Sequence, residues 1–161
     1  MGNKLEIGKV PVEILNKLVL DPINNNINKR DDIVIRPSTG EDCSAVDPGG
    51  EICVFSTDPI TAAGSNAGYL VVHINCNDAA SAGAEPVGIL LTILLPAGSC
   101  EEDLKEIIDG AYKAARELGI EILGGHTEVT EAVNKPVVNG TVVAKTRGRK
   151  FISSGGAKSG Q

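Results

Sequence analysis

Tryptophan is absent, and aromatic residues make up only 2% of the 161-residue chain. The core must then be built from Val, Ile, Leu and Ala. Aromatic platforms for stacking single-stranded nucleic acid are lacking. Positive charge is also short: 15 Lys and Arg stand against 21 Asp and Glu, a formal charge of −6. This argues against a phosphate-backbone partner, and a bound nucleotide would come with a cation. The four cysteines, Cys43, Cys53, Cys76 and Cys100, form no CxxC pair and no zinc spacing. Buried, reduced thiols are expected. The longest apolar run, residues 86–97, is too short to span a bilayer and meets Pro96. Residues 1–20 mix charges and end in a turn, unlike a secretory leader. We expect a cytoplasmic protein with no nucleic-acid and no membrane partner. There is no GxxxxGK(S/T) string, which excludes a Walker cradle, and no GxGxxG follows a strand.

What is present reads as alternating short elements. Pro11 opens a helix over residues 9–20, with Ile14, Leu15, Leu18 and Val19 on one face and Asp21-Pro22 as its stop. The Asn-rich residues 23–32 read as an exposed loop. Strands follow at 33–36, 43–46 and 52–57, the last two a hairpin across Asp47-Pro48-Gly49-Gly50. A helix over 67–83 precedes a continuous apolar strand at 86–95. Ser99 and Glu102 suit a capping box for a helix striped by Leu104, Ile107, Ile108, Ala111, Ala115 and Leu118, which Gly119 ends. A strand at 120–123 runs into a Gly-Gly-His-Thr-Glu turn, and a final strand covers 137–146 with Gly140 as a bulge. The order α-β-β-β-α-β-α-β-β fits an α+β layer. Its uncovered sheet face would close against a second copy, as a homodimeric barrel.

The chemistry lies in carboxylates within small-residue segments: Glu41, Asp42, Asp58, Asp78 and Glu128. Hard oxygen ligands of this kind suit Mg²⁺. Asp42 also suits an ordinary glycine turn, Asp58 an ordinary strand end before Pro59, and Glu128 plain solvation. Asp78 is different. A carboxylate among Val71, Val72, Ile74, Ala79, Ala80 and Ala82 is expensive to bury without compensation. Asn75 sits three residues earlier on the same helix face. His73 and His126 are either ligands or hydrogen-bonded structural residues.

Four strings stand in order: GEDCSAV (40–46), TDPIT (57–61), HINCNDAASAGAEP (73–86) and GGHTEV (124–129). Together they resemble the N-terminal domain of the aminoimidazole-ribonucleotide (AIR) synthetase superfamily. That superfamily also holds thiamine-monophosphate kinase, selenophosphate synthetase and the hydrogenase-maturation carbamoyl dehydratase. GKVPVEILNKLV and TDPIT look most like the hydrogenase expression/formation (HypE-like) branch. The resemblance implies an α+β fold, with a mixed or antiparallel four-stranded sheet and helices on one face. It implies that this sheet pairs with a second copy in a dimeric β-barrel, like the PurM N-terminal domain. Residues 1–150 would be the ATP-binding and dimerisation domain, and 151–161 a linker to an absent C-terminal domain.

The resemblance further implies ATP and Mg²⁺ as cofactors. Asp42, Asp58 and Asp78 would be the Mg²⁺–phosphate carboxylates, supported by Asn75 and Asn77. Gly40, Glu41, Thr61, Gly124, Gly125 and Thr127 would line the nucleotide. Related branches place a carboxylate where His126 stands, so either His126 ligates the metal or Glu128 supplies the acid. The implied activity is ATP-dependent phosphorylation or dehydration of a carbamoyl or amide group, with a hydrogenase-maturation partner protein. The alternatives are a small-molecule kinase of the thiamine-monophosphate type and a non-catalytic dimerisation module.

Overall fold

The computed structural model describes residues 4–26, 29–61, 63–154 and 159–160. The chain opens with α1 (Val12–Leu15), a π-helical turn (Asn16–Leu20) and α2 (Asp21–Asn26). Then come β1 (Ile33–Ile35), β2 (Cys43–Val46), β3 (Cys53–Ile60), α3 (Ala67–Ser81), β4 (Ala84–Pro96), α4 (Glu101–Leu118), β5 (Glu121–Thr130) and β6 (Val137–Thr146). One sheet holds all six strands in the order β1-β2-β3-β6-β4-β5. Only β4 and β5 run parallel.

The sheet is therefore six-stranded, not four-stranded. Four long strands of 8 to 13 residues, β3, β6, β4 and β5, form its body. The three-residue β1 and four-residue β2 extend it past β3. Period-2 alternation sorts each central strand into two faces. Val54, Ile89, Ile93, Val138 and Val142 point to the helix side and are fully buried. There α3 lies across β3, β4 and β6, and α4 packs on α3. The opposite face carries Phe55, Thr57, Leu90, Leu94, Asn139, Thr141 and Val143, all partly exposed.

Several local expectations change. Asp21-Pro22 does not end the first helix, because Pro is tolerated in the first turn of a new one, α2. The Asn-rich run is thus helical to Asn26, and residues 27–28 lie outside those described. The α4 cap is one residue later than Ser99: the Cys100 N–H donates to Asp103 Oδ2 at 2.8 Å. Cys100 is exposed there, while Cys43 and Cys76 are buried. The GGHTE segment is strand, not turn. Ile89 pairs with Ile122 and Leu90 with Gly124, so Leu123 is the extra residue of a bulge. Gly125 has φ 145°, and a Cβ there would stand 1.7 Å from the Leu91 carbonyl oxygen. Gly140 keeps regular pairing with Asp58 and is no bulge. Gly119 closes α4 in the left-handed conformation, as expected.

The two helices cross at glycines. A Cβ on Gly68 would meet the Ile107 carbonyl oxygen at 1.8 Å, whereas one on Gly110 would lie 3.1 Å from the Tyr69 nitrogen. Backbone cannot step aside as a side chain can. Gly68→Ala should therefore destabilise the fold by about 3 kcal/mol or more. Gly110→Ala should stay within about 1 kcal/mol of wild type, because the contact is offset by helix propensity. Urea midpoints of the two variants check this.

Candidate functional site

Asn75 is fully buried in α3, where an amide must find partners for every polar atom. Its Oδ1 accepts the Asp58 N–H at 3.0 Å. Its Nδ2 donates to the Val71 carbonyl at 2.8 Å and to the Asp58 carbonyl at 3.3 Å. Asn75 thus grips the β3 backbone at Asp58 from both sides. Gly140 makes room for it, since a Cβ there would stand 2.7 Å from Asn75 Nδ2. The expected supporting role of Asn75 takes this form: it positions the Asp58 backbone, and its amide is spent on protein groups.

One turn further on, half-buried Asp78 faces β3. Its Oδ2 accepts the Ser56 hydroxyl proton at 2.9 Å. Burial holds the Asp78 carboxyl above the ordinary carboxylate range; the Ser56 hydrogen bond opposes this, and the neighbouring carboxylates of Asp58 and Asp42 add to it. Cys43, opposite Ser56 in β2, senses the same group. Its thiol is pushed up to about 11 by burial and by Asp78, Glu41 and Asp42. At neutral pH Cys43 is a protonated thiol and not a nucleophile. Sequence reasoning passed over Ser56. The available signal was its parity with Val54, which puts a hydroxyl on the core face of β3.

The other expected residues lie around or away from this pair. Asp42 is exposed just before β2, after a turn in which Gly40 has φ 76°. Glu41 Oε2 accepts from the Ser153 hydroxyl at 2.5 Å, and Oε1 is buried without a hydrogen-bond partner. Asn77 is exposed on α3, and Thr61 is exposed just beyond β3. Gly124, Gly125, His126, Thr127 and Glu128 all sit on the exposed edge strand β5. That strand is three strand spacings from β3, about 14 Å. His126 is opposite Thr92, and Thr92 is opposite Asn139, so His126 projects from the face opposite to Asp58. His126 Nε2 lies 3.2 Å from Glu128 Oε2. The five expected metal ligands therefore fall into two groups within one chain: Asp42, Asp58 and Asp78 in one, His126 and Glu128 in the other. His73 belongs to neither. Its ring lies against Tyr69 at 4.4 Å, and Nε2 is 3.5 Å from Glu117 Oε2, an ion-pair distance without hydrogen-bond geometry.

Among the described residues, no three His, Cys, Asp or Glu side chains are close enough to hold a cation alone. The donor set nonetheless fits Mg²⁺. That ion keeps several waters and is usually held by one or two carboxylates plus substrate phosphates. Asp58 and Asp78 offer such a pair, with Asp42 close enough to add to the field at Asp78.

Comparison with known proteins shows the family. The chain is 38% identical over 89 residues to the carbamoyl dehydratase HypE of Cupriavidus necator, covering 52% of this chain and 25% of that protein. The HypE–HypF complex matches at a TM-score of 0.60 and 26% identity, over 73% of this chain and 40% of that one. AaThiL complexed with AMPPCP and TMP matches at a TM-score of 0.72 over 95% of this chain and 48% of that one; at 18% identity this shows the fold alone. The chain thus spans half or less of the length of these relatives. The model of the AIR synthase related protein, N-terminal domain, matches residues 40–146, from the Gly40 turn through β6. The chain belongs to this AIR synthase-related family.

Proposed function

We propose that this domain binds ATP with Mg²⁺ as part of a hydrogenase-maturation type protein, which uses ATP to phosphorylate or dehydrate a carbamoyl or amide group. The observation that carries this is the Asp58–Asp78 carboxylate pair, desolvated at Asp78 and aimed by Ser56 and Asn75. Two acids side by side in a half-buried setting repel each other and are unfavourable alone. Asp58 and Asp78 would hold a cation that reverses that sign. When bound, Mg²⁺ would offset the charge that develops during in-line phosphoryl transfer. The chain's own part is to hold Asp58 and Asp78 on rigid elements and to add the Asp42 charge. The Gly40 turn lets backbone approach the phosphates. A maturation partner protein is supported by the HypE–HypF complex among the structural neighbours. A thiamine-monophosphate kinase reaction is the second reading, favoured by 28% identity over 111 residues to the thiamine-monophosphate kinase of Pyrococcus horikoshii, 68% of this chain and 34% of that one. Assays of a carbamoylated cysteine peptide and of thiamine monophosphate, each with ATP, separate the two.

We further propose a homodimer in which the open sheet faces meet. Phe55, Leu90, Leu94 and Val143 leave an apolar strip there, with Leu90 41% exposed. In that arrangement the His126–Glu128 pair would lie at the interface, because both residues share the open face.

Calorimetric titration should show ATP binding that requires Mg²⁺, and Asp78→Asn should weaken it at least tenfold with an unchanged circular dichroism spectrum. Absence of Mg²⁺-dependent heat from the full-length protein would sink the reading. Stability should move the other way. The folded state keeps the Asp78 proton at pH values where the unfolded chain has released it, so stability falls as pH rises through that window. The penalty is complete above the raised folded-state value. Without cation, Asp78→Asn should raise the thermal midpoint at pH 7, and the gain should vanish as pH falls below about 4. For the dimer, Phe55→Glu should shift the sedimentation coefficient to that of a monomer. An unchanged coefficient assigns the interface elsewhere.

A further inference from the structure

The last strand, β6, ends at Thr146, yet the chain does not leave the body there. Residues 151–153, which belong to no helix or strand, run as a short strap across the end of α3. Phe151 packs partly buried against the core. The Ile152 N–H donates to the carbonyl of Ala82, the C-cap of α3, at 3.0 Å. The Ile152 side chain lies over Gly83, where a Cβ would stand 3.1 Å from its Cδ1. The Ser153 hydroxyl then donates to Glu41 Oε2 at 2.5 Å, across 112 residues of sequence. Ile152 stays 61% exposed. A segment with little buried surface and no ladder or helical hydrogen bonds opens at small cost.

Its anchor is not an isolated surface acid. Glu41 stands next to Asp42 and two residues before β2, and its charge acts on the Cys43 thiol together with those of Asp78 and Asp42. It therefore shares the field of the acidic site. Its Oε1 is buried with no hydrogen-bond partner among the described residues. A carboxylate with one oxygen stripped of water, set among other carboxylates, is poorly compensated. The Ser153 hydroxyl gives its other oxygen a charge-assisted hydrogen bond. That compensation matters most when no cation is near.

We propose that the Ser153–Glu41 hydrogen bond is a latch, which couples occupancy of the acidic site to the position of residues 151–153. In the cation-free protein, Glu41 draws Ser153 in and the strap lies closed on α3. Once positive charge is held at Asp58 and Asp78, Glu41 depends less on Ser153, and the strap loosens. Glu41 and Ser153 are positioning residues in this scheme. The coupling rests on the ATP–Mg²⁺ reading of the acidic pair. Linkage makes it reciprocal: a change that loosens the strap must favour the loaded site by the same factor.

The readout is hydrogen exchange of the Ile152 amide, followed by NMR on 15N-labelled protein with and without Mg²⁺ and ATP. Binding heat is measured on the same samples. Mg²⁺–ATP should speed that exchange about fivefold or more. Ser153→Ala should speed it without ligand and should tighten Mg²⁺–ATP binding by a similar factor. Glu41→Gln can still accept the hydroxyl proton but carries no charge, so exchange at Ile152 should cease to respond to Mg²⁺–ATP. A hydrogen bond that only holds the strap would speed exchange when removed, yet would leave affinity unmoved. Binding heat with unchanged or slower exchange at Ile152 overturns the latch and leaves the nucleotide reading standing. So does equal or weaker binding by Ser153→Ala, or a full response in Glu41→Gln. Absence of Mg²⁺-dependent heat from the unsubstituted protein overturns both.

Discussion

The structure depends on one buried amide. Asn75 sits at the centre of α3 with no exposure, so its oxygen and nitrogen must be satisfied by protein. They are satisfied by both backbone groups of Asp58 and by Val71. That choice locks the long helix to β3 at one register. It also demands an empty position opposite, which Gly140 of β6 supplies. Helix, two strands and the acidic position are fixed together, because misplacing any of them would leave a buried polar atom without a partner, at a cost of about 1–3 kcal/mol. Asp58 and Asp78 are therefore held on a strand and a helix, and Asp42 alone comes from the turn before β2.

The same rigidity gives the acidic pair its character. Asp78 is raised by burial and by its neighbours, and Ser56 compensates it only in part. A fold selected for stability alone would not place three carboxylates around one buried cysteine. That arrangement is sensible where a cation and phosphates complete it, and this links the energetics of the domain to the proposed nucleotide binding. The β5 residues obey a different constraint. They lie on the sheet edge and on its open face, where a second surface would be needed to bring them into any enclosed site.

Much of the framework was legible in the sequence. Gly119 marked the end of α4, the 137–146 pattern marked β6, and Asp78 stood out among its apolar neighbours. Each is a local signal: a left-handed cap, period-2 alternation, or a charge in an apolar stretch. The errors came where neighbours in space override local preference. Gly124-Gly125 reads as a turn, yet strand pairing with β4 draws it into β5; Gly125 is needed because the Leu91 backbone comes so close, and Gly124 because its φ is 134°. Pro22 reads as a stop, yet it sits where a helix start tolerates it. Ser56 draws no notice and Gly140 reads as a bulge, because their partners, Asp78 and Asn75, are 22 residues away in one case and 65 in the other.

By itself, then, the sequence determined the element order, the apolar faces, the four motif strings and the likeness to the AIR synthetase superfamily. These rest on composition, periodicity and short-range spacing, which a chain carries before it folds. Only the tertiary structure decided that six strands share one sheet, that Asn75 serves the Asp58 backbone, and that Asp78 leans on Ser56. It also divided the expected ligands between two faces of the sheet. Which side chains meet depends on strand order and register, and those are set by long-range pairing that no local string encodes.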